Sequence, residues 1–422
     1  MGFFSGKNHI EIKGNKPSKL LNFTNPKLIA IPLKHMDSEG FDIHVQVGDS
    51  VKIGTNVATG NERFKIPLFS SVSGKVTAIE KRDHVSLKKS NHIVIENDFN
   101  DEKELLFEPT ENINSLSGEE IREFLKKESS LGLGSAGFAY AKYRNAKNIH
   151  TVLLNGMEQE PCLSTCEFSM KADPQLLLEG ARLLMTSVEA GECIIAMEEN
   201  KTELINILEK MLKDYPGISL KLMPDIYPSA WDKLLINRIF NKDYKRLPLE
   251  IGIICDGVSA AIELARCIKT GLPMYEKIIT LTGLGFKVPK NVTVRQGTIL
   301  ADIVQKTGGY MEGAKRLLHG GYFTGSTVIS QDLSVTFMSD GFVCLPDIIV
   351  EEQPCSRCGR CLDYCPMGLQ PVQIVKAFKS KDKEAAGKLS PDKCIECGVC
   401  SYVCPSDRNV SDSVVKCKAL LK

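Results

Sequence analysis

The sequence predicts a multidomain α/β protein, and three observations lead to this prediction. The 422 residues are more than one ordinary core needs and suffice for two to four domains. Between residues 151 and 268, short apolar runs alternate with helix-like runs, as in a layered domain with a parallel sheet. Strand-rich segments lie on both sides of that region, and eight of the 15 cysteines fall between Cys355 and Cys404.

Composition narrows the function classes. The 53 Lys and Arg residues nearly balance 52 Asp and Glu residues, so no nucleic-acid partner is expected. No apolar run reaches the roughly 18 residues of a membrane-spanning helix, and the first residues do not resemble a secretion signal. We therefore expect a cytoplasmic protein without a direct membrane span, whose membrane association would depend on partners. Fifteen cysteines in a chain of this kind favour metal or redox chemistry over disulfide stapling.

The N-terminal region, residues 1–97, is predicted to form a lipoyl-like barrel-sandwich module. Short alternating strands are separated by Gly, Asp and Pro, and residues 45–54 and 66–76 read as its two halves. The carrier lysine of lipoyl or biotinyl domains lies in a D-K-A or M-K-M hairpin, and neither tripeptide occurs here. We therefore interpret the module as structural or as a docking element.

A central Rossmann-like α/β domain is predicted over residues 117–272, after an acidic linker. Gly132, Gly134 and Gly137 match the G-x-G-x-x-G pattern. The match is weak by itself, because the dinucleotide fingerprint should follow a strand and here a helix precedes it. Three glycines in six residues nevertheless leave backbone amides free to approach a phosphate.

Two carboxylate-rich turns follow predicted strands of this domain. The first turn carries Asn155, Glu158 and Glu160, and the second begins at Glu198. Ligands of such sheets bind beyond the carboxyl ends of the strands, which makes these turns candidate site residues. The alternative is ordinary solvated loop charge. A smaller strand-rich unit, residues 277–345, follows and is predicted to be a β-grasp (SLBB-like) unit.

The C-terminal region, residues 350–422, contains the run C-x2-C-x2-C-x3-C-P twice. Two-residue gaps let three thiolates of one loop converge on one cubane, and the fourth cysteine, before the proline, ligates the neighbouring cluster. The spacing thus predicts a helical, ferredoxin-like module with two [4Fe-4S] clusters. The first ligand set is Cys355, Cys358, Cys361 and Cys404, and the second is Cys394, Cys397, Cys400 and Cys365. Two zinc sites are the alternative, although zinc knuckles do not need the third and fourth cysteines.

The order of these features resembles that of a known family over nearly the whole chain. A lipoyl-like module, a glycine-rich loop, an N-G-x-E-x-E-P turn, a β-grasp unit and twin cluster runs occur together in the C subunit of Rnf-type ion-translocating electron-transport complexes, the RnfC family. The chain is more distantly similar to the NADH-binding flavoprotein subunit of respiratory complex I. The resemblance implies a non-covalent FMN that takes hydride from NADH and releases electrons singly to the clusters.

The resemblance also implies roles for individual residues. Glu158 and Glu160 would be the catalytic residues of the flavin and nicotinamide pocket. The implied cofactor-binding residues are Gly132, Gly134, Gly137, Phe138, Lys142, Asn155 and Glu198. The chain differs from the family at Ser135, at Ala139 and Tyr140, at Cys162, and at Asp256 and Gly257, where the family has Asn-Val. A carboxylate at Asp256 is expected to disfavour anionic reduced flavin and to lower the flavin potential.

The leading hypothesis is a subunit of an NADH:ferredoxin-type oxidoreductase, peripheral on the inner face of the cell membrane. Its partners would be other subunits of a membrane redox complex and a ferredoxin or flavoprotein. The alternatives are a soluble RnfC-like protein that feeds a dedicated reductase and a flavin-free cluster scaffold. Cys162 and Cys166, four residues apart, would share a helix face and could form an exchangeable dithiol. Five further cysteines are predicted to be small buried hydrophobes: Cys193, Cys255, Cys267, Cys344 and Cys417.

Overall fold

The computed structural model describes residues 10, 16–34, 39–61, 65–128, 142–143, 146–347 and 351–421. Within them the strands are β1 (Leu20–Phe23), β2 (Leu28–Pro32), β3 (Phe41–Ile43), β4 (Ser50–Val51), β5 (Asn56–Gly60), β6 (Pro67–Phe69), β7 (Gly74–Asp83), β8 (Lys89–Asn97), β9 (Thr151–Asn155), β10 (Glu192–Glu198), β11 (Ile218–Met223), β12 (Ile253–Gly257), β13 (Glu276–Thr282), β14 (Lys290–Arg295), β15 (Ala314–His319), β16 (Ser326–Val328) and β17 (Gly341–Pro346).

The α-helices of the same residues are α1 (Gly118–Glu128), α2 (Thr165–Ala172), α3 (Pro174–Ser187), α4 (Thr202–Met211), α5 (Asp232–Phe240), α6 (Val258–Thr270), α7 (Leu300–Lys306), α8 (Arg360–Asp363), α9 (Pro371–Lys379), α10 (Lys383–Lys388), α11 (Val399–Tyr402) and α12 (Val410–Leu420). Short 3₁₀ segments cover Ile113–Ser115, Leu212–Asp214, Pro248–Ile251 and Pro391–Lys393.

Two small sheets form the N-terminal module. One has the strand order β2-β8-β7-β4 and the other the order β3-β5-β6. Their apolar side chains share one core, in which Ile29, Val57 and Ile93 have no exposed surface. The arrangement agrees with the strand-rich module that the alternating pattern predicts.

The predicted boundary of this module differs from the structure at β1. This strand pairs in parallel with β14, so it extends the six-stranded sheet of a later region of the chain. Arg295, at the end of β14, reinforces the junction by donating from Nε to the carbonyl of Thr24 at 2.9 Å. Four half-buried residues carry too little pattern to indicate which sheet they join, so sequence alone assigned β1 to the first module.

A four-stranded parallel sheet forms the centre of the chain, with the order β11-β10-β9-β12. All five residues of β9 are buried, as expected for a central strand covered on both faces. Helices α3 and α6 pack closely together, and a Cβ on Gly180 of α3 would lie 1.8 Å from the carbonyl oxygen of Ala261 in α6. The predicted α/β layering of this region is therefore confirmed.

A six-stranded mixed sheet follows, with the order β1-β14-β13-β17-β15-β16. Strands β13 and β17 run parallel at its centre, and β14 and β15 pair antiparallel with them. Helix α7 covers one face, where Leu300 and Ile303 join the core with Ile279 and Phe342.

The C-terminal region is helical and folds around its cysteines. Helices α9 and α12 pack on each other, and each cysteine run contains a four-residue helix, α8 or α11. Cys365 and Cys404 follow these short helices, whereas we expected them at the head of a helix. In the described part of the chain, no helix is long and apolar enough to cross a membrane.

Candidate functional site

A crevice opens where the central sheet reverses its strand order. Strand β10 lies on one side of β9 and β12 lies on the opposite side, so the carboxyl ends of β9 and β12 flank a topological switch point, where open α/β sheets bind their ligands. A cavity of about 330 Å³ lies there, lined by Asn155 and Gly257 at the two strand ends. Ligand pockets begin at roughly this size, about 300 Å³.

Asn155 is one of the predicted cofactor-binding residues, and it fixes the wall of the cavity. It is the last residue of β9 and is buried, with its Nδ2 donating to the carbonyl of Ala230 at 2.7 Å. Its Oδ1 accepts from the backbone N–H of Met157 at 3.2 Å. Asn155 therefore attaches the segment before α5 to the end of β9.

Glu158 and Glu198 form a carboxyl pair beside the cavity. Glu158 lines the cavity, and its backbone N–H donates to Oε1 of Glu198 at 2.8 Å. Burial, followed by the neighbouring charge of Glu198, raises the pKa of Glu158 to about 8. Burial also raises the pKa of Glu198. Two carboxyl groups so arranged do not both ionise easily, so we expect the pair to hold a proton at neutral pH.

Glu160 points away from this pair. Its buried carboxylate accepts hydrogen bonds from the backbone N–H groups of Phe323 at 3.0 Å and Thr324 at 3.1 Å, and from the Thr324 hydroxyl at 2.6 Å. A Cβ on Gly321 would lie 2.1 Å from Cγ of Glu160, so the glycine permits the close approach. Glu160 is not among the residues that line the cavity, and it connects the central domain to the loop after β15.

Lys142 lies at a buried ion pair. Its Nζ donates to the carbonyl of Cys255 at 3.1 Å and is 3.5 Å from Oδ1 of Asp256. Burial raises the pKa of Asp256, while the ammonium group of Lys142 lowers it. A cation thus faces the carboxylate that replaces the family's asparagine, which offsets the negative charge expected there.

The sequence analysis missed charged residues that line the cavity. Arg266 of α6 forms ion pairs with Glu263 and, at 2.5 Å, with Asp173, and all three line the cavity. Lys277 of β13 donates to the carbonyl of Phe337 at 2.8 Å and pairs with Asp340 at 3.2 Å. The i,i+3 spacing of Glu263 and Arg266 on a helix was the one local signal for them. The contact of β13 with the cavity has no local signature.

The predicted dithiol is not on one helix face, so that prediction was wrong. Cys162 precedes α2, which begins at Thr165, and has a left-handed φ of 68°. Burial raises the pKa of both Cys162 and Cys166, which disfavours the reactive thiolate. The prediction for the five remaining isolated cysteines is confirmed, because all of them are buried.

The eight cysteines of the C-terminal runs form two neighbouring groups. Burial raises the pKa of Cys361, and nearby Cys355, Cys358 and Cys404 raise it further. The pKa of Cys400 is raised by burial and then by a second group of thiols, Cys397, Cys394 and Cys365. These groups have the composition of the two ligand sets that the spacing predicts, and their binding of clusters stays a prediction.

Backbone amides contact the sulfurs of the second group. Leu369 donates its N–H to Sγ of Cys365, and Glu396 donates to Sγ of Cys394, both at 3.4 Å. Such donors stabilise thiolate charge and tune cluster potentials. In the described part of the chain, no three His, Cys, Asp or Glu side chains are placed to hold a single metal ion.

The glycine-rich loop cannot be placed against this geometry. Gly132, Gly134, Gly137 and Phe138 lie outside the described residues. Of the nine predicted catalytic and cofactor-binding residues, the structure brings Asn155, Glu158 and Glu198 together at the crevice. It directs Glu160 to a neighbouring loop and Lys142 to Asp256.

Comparison with known families divides the chain in the same order. Residues 5–100 match the RnfC barrel sandwich hybrid domain, 125–266 the Nuo51 FMN-binding domain, and 354–408 the 4Fe-4S dicluster domain. A 29% identical relative from Acetobacterium woodii is the C subunit of a Na(+)-translocating ferredoxin:NAD(+) oxidoreductase complex, and the match covers 83% of this chain and 81% of that protein. The chain belongs to the RnfC family. The RnfC protein of Clostridium ljungdahlii, from a proton-translocating complex, is also 29% identical, over 85% of this chain and 80% of that protein.

Other RnfC proteins are longer than this one. The C subunit of the ion-translocating oxidoreductase complex of Pectobacterium carotovorum is 30% identical over 86% of this chain, which spans only 49% of that relative. Among solved structures, a chain of an NAD+-reducing [NiFe]-hydrogenase matches with a TM-score of 0.52 and 14% identity, over 75% of this chain and 66% of that chain. This likeness supports the fold of the RnfC chain.

The residues of this RnfC-family chain fit the cofactors of the matched domains. At the crevice, Oδ2 of Asp256 and the hydroxyl of Tyr143 are buried without a hydrogen-bond partner among the described residues. An unpaired acceptor at the end of β12 suits a donor group on a bound flavin, and buried polar atoms are rarely left unpaired. In the C-terminal module, two groups of four thiols suit two [4Fe-4S] clusters.

Proposed function

We propose that this chain is the electron-transfer subunit of an Rnf-type complex. It exchanges electrons between NADH, through FMN, and a ferredoxin or membrane partners, through two [4Fe-4S] clusters. The observation that carries the proposal is the presence, in one chain, of the switch-point cavity and of two four-thiol groups. The complex would place the chain on the inner face of the cell membrane through its partner subunits.

The proposed roles of the site residues follow from their positions. FMN, when bound, converts the two-electron chemistry of NADH into single electrons that clusters accept. Asn155 holds the wall of the crevice, and Glu158 with Glu198 can retain the proton that NADH oxidation releases. Lys142 keeps Asp256 charge-neutral beside the flavin position. Gly132, Gly134, Gly137 and Phe138 remain proposed as the nucleotide-binding loop.

The six-stranded sheet with its single covering helix is proposed to be a β-grasp (SLBB-like) unit. The proposed domains are residues 1–97, 117–272, 277–345 and 350–422, with β1 now counted in the third unit because it pairs with β14. The sheet places the loop after β15 against both Glu160 and the cysteine module. Its proposed role is therefore to join the two redox domains.

An anaerobic titration tests the proposal. Protein with about eight irons and eight labile sulfides, as two cubanes require, is supplied with FMN and then titrated with NADH, and we expect both flavin and clusters to bleach. Glu158→Gln keeps the shape of the side chain but cannot release a proton, so bleaching should slow while iron content stays constant. Glu384→Gln, an exposed change in α10, is the matched control.

Three results would point elsewhere. Zinc without labile sulfide would remove the cluster assignment. Intact clusters that show neither FMN binding nor any response to NADH would favour the flavin-free scaffold. Bleaching by NADH without transfer to ferredoxin or membrane partners would favour a soluble protein that serves a dedicated reductase.

A further inference from the structure

The two cysteine groups differ in where they lie relative to the rest of the chain. Cys355 and Cys358 are exposed, whereas Cys397 is buried, with 8% of its surface accessible. Cys397 and Val399 form a small apolar core with Tyr227 of the central domain. The second group therefore faces the interior of the protein, and the first group faces outward.

Tyr227 and Phe323 hold the second cysteine loop directly. The Tyr227 hydroxyl donates to the carbonyl of Cys397 at 2.7 Å. Its ring stacks on that of Phe323, with 4.3 Å between the centroids and 21° between the planes. A Cβ on Gly398 would lie 2.8 Å from the carbonyl oxygen of Phe323, so the backbones of the two loops are also in contact.

Both aromatic residues are connected to the wall of the crevice. Phe323 is held through its backbone N–H by Glu160, two residues from Glu158 in the turn that follows β9. Tyr227 lies in the segment whose Ala230 carbonyl accepts from Asn155. Two short chains of contacts thus run from the end of β9 to Cys397, and none of the described contacts of Cys355 or Cys358 reaches the central domain.

We infer that Cys365, Cys394, Cys397 and Cys400 hold the cluster that exchanges electrons with the central domain, with Tyr227 and Phe323 as its positioning residues. The cluster of Cys355, Cys358, Cys361 and Cys404 is then the one that exchanges electrons with an external partner. This inference rests on the proposed function. One electron enters the inner cluster and the same electron leaves it for the outer cluster, and no bond or proton changes at the cysteines.

A potentiometric titration tests the positioning role without NADH or FMN. Tyr227→Phe removes one hydrogen-bond donor and keeps the ring stack. The hydroxyl dipole points its positive end toward the loop of Cys397 and stabilises the extra electron, so its loss should move one of the two midpoint potentials to a more negative value. Tyr402→Phe is the matched control, because Tyr402 also packs on Phe323 but is 56% exposed.

The shifted potential must belong to the second group. Cys394→Ala and Cys358→Ala each damage one cluster, and the EPR signal that remains identifies its neighbour. We expect the Tyr227→Phe shift to persist in the Cys358→Ala background. A shift confined to the outer cluster, or equal potentials in Tyr227→Phe and wild type, would overturn the positioning role.

The order of electron entry is tested by the same cysteine variants after FMN is supplied. With NADH as reductant, the inner cluster of Cys358→Ala should still be reduced. The outer cluster of Cys394→Ala should be reduced far more slowly, although dithionite reduces it fully. Equal rates of outer-cluster reduction in Cys394→Ala and wild type would overturn the inference.

The outcomes separate this inference from the proposed function. If FMN never binds, the proposed function fails, while the shift in Tyr227→Phe still reports which cluster faces the central domain. If a cysteine variant does not retain a cluster by iron count, the Tyr227→Phe titration in otherwise wild-type protein decides, with signals assigned by the second variant.

Discussion

The two cysteine loops share one local geometry and have different surroundings. Arg357 and Glu396, at equivalent positions, have left-handed φ angles of 57° and 64°. Gly359 and Gly398 follow with φ angles of 82° and 76°, and each begins a four-residue helix. The first loop is largely exposed, whereas the second packs against the central domain and the loop after β15.

The difference separates what the motif controls from what the fold controls. Spacing fixes how three thiolates of a loop converge, because both loops adopt the same turn and helix. Access to solvent, hydrogen bonding and nearby charge are supplied by other domains, and these are the properties that set a cluster potential and its partner. We therefore expect equivalent substitutions in the two loops to have unequal effects.

The largest expected effect is the loss of one cluster. Cys365→Ser removes a thiolate from the first run, yet it should chiefly damage the cluster of Cys394, Cys397 and Cys400, because each run lends its last thiolate to the neighbouring cluster. EPR and iron analysis should show about half of the iron lost. Cys404→Ser is the mirror variant and should spare the inner cluster instead. Damage confined to the cluster of each residue's own run would disprove the ligand exchange.

A pair of glycine substitutions compares the surroundings directly. Gly359→Ala and Gly398→Ala both place a side chain at a left-handed φ, which costs roughly 1–2 kcal/mol. A Cβ on Gly398 would also lie 2.8 Å from the Phe323 carbonyl, whereas the nearest atom to one on Gly359, in Asp363, is at 4.0 Å. We expect Gly398→Ala to lower the free energy of unfolding by about 1–3 kcal/mol more, as overpacking does. Equal losses in anaerobic thermal unfolding would contradict the comparison.

These contrasts also indicate how far sequence could predict the molecule. The cysteine spacing and the apolar alternation from β9 to α6 are local signals, and they predicted the cysteine groups and the parallel sheet correctly. The positions of Glu160 and Lys142 depend on residues over 100 positions away, Phe323 and Asp256. Neighbouring acids in one turn, Glu158 and Glu160, point to different places, which a motif alone does not reveal.

The contact of Glu160 gives a smaller effect that should reach only one loop. Glu160→Gln places an amide N–H₂ where two backbone N–H groups and a hydroxyl donate, so it loses acceptor capacity in a buried site at a cost of about 1–3 kcal/mol. We expect iron content to stay constant and hydrogen exchange to accelerate at residues 321–325. Glu203→Gln, at an exposed ion pair with Lys171, is the control. Unchanged exchange in that loop would show that Glu160 does not hold it.

The smallest predicted effect concerns a cation that only the second loop possesses among the described residues. Lys418 donates to the carbonyl of Cys394 at 2.8 Å and to Glu396 at 2.7 Å. An ammonium group there favours the added negative charge of a reduced cluster, so Lys418→Met should make the inner midpoint potential more negative and leave the outer one unchanged. The half-exposed ion pair contributes less than about 1 kcal/mol to stability. Lys416→Met, an exposed change two residues earlier, should alter neither potential. Because solvent ions screen exposed charges, the shift should shrink as salt rises, and a shift of both potentials would place Lys418 between the clusters rather than beside one.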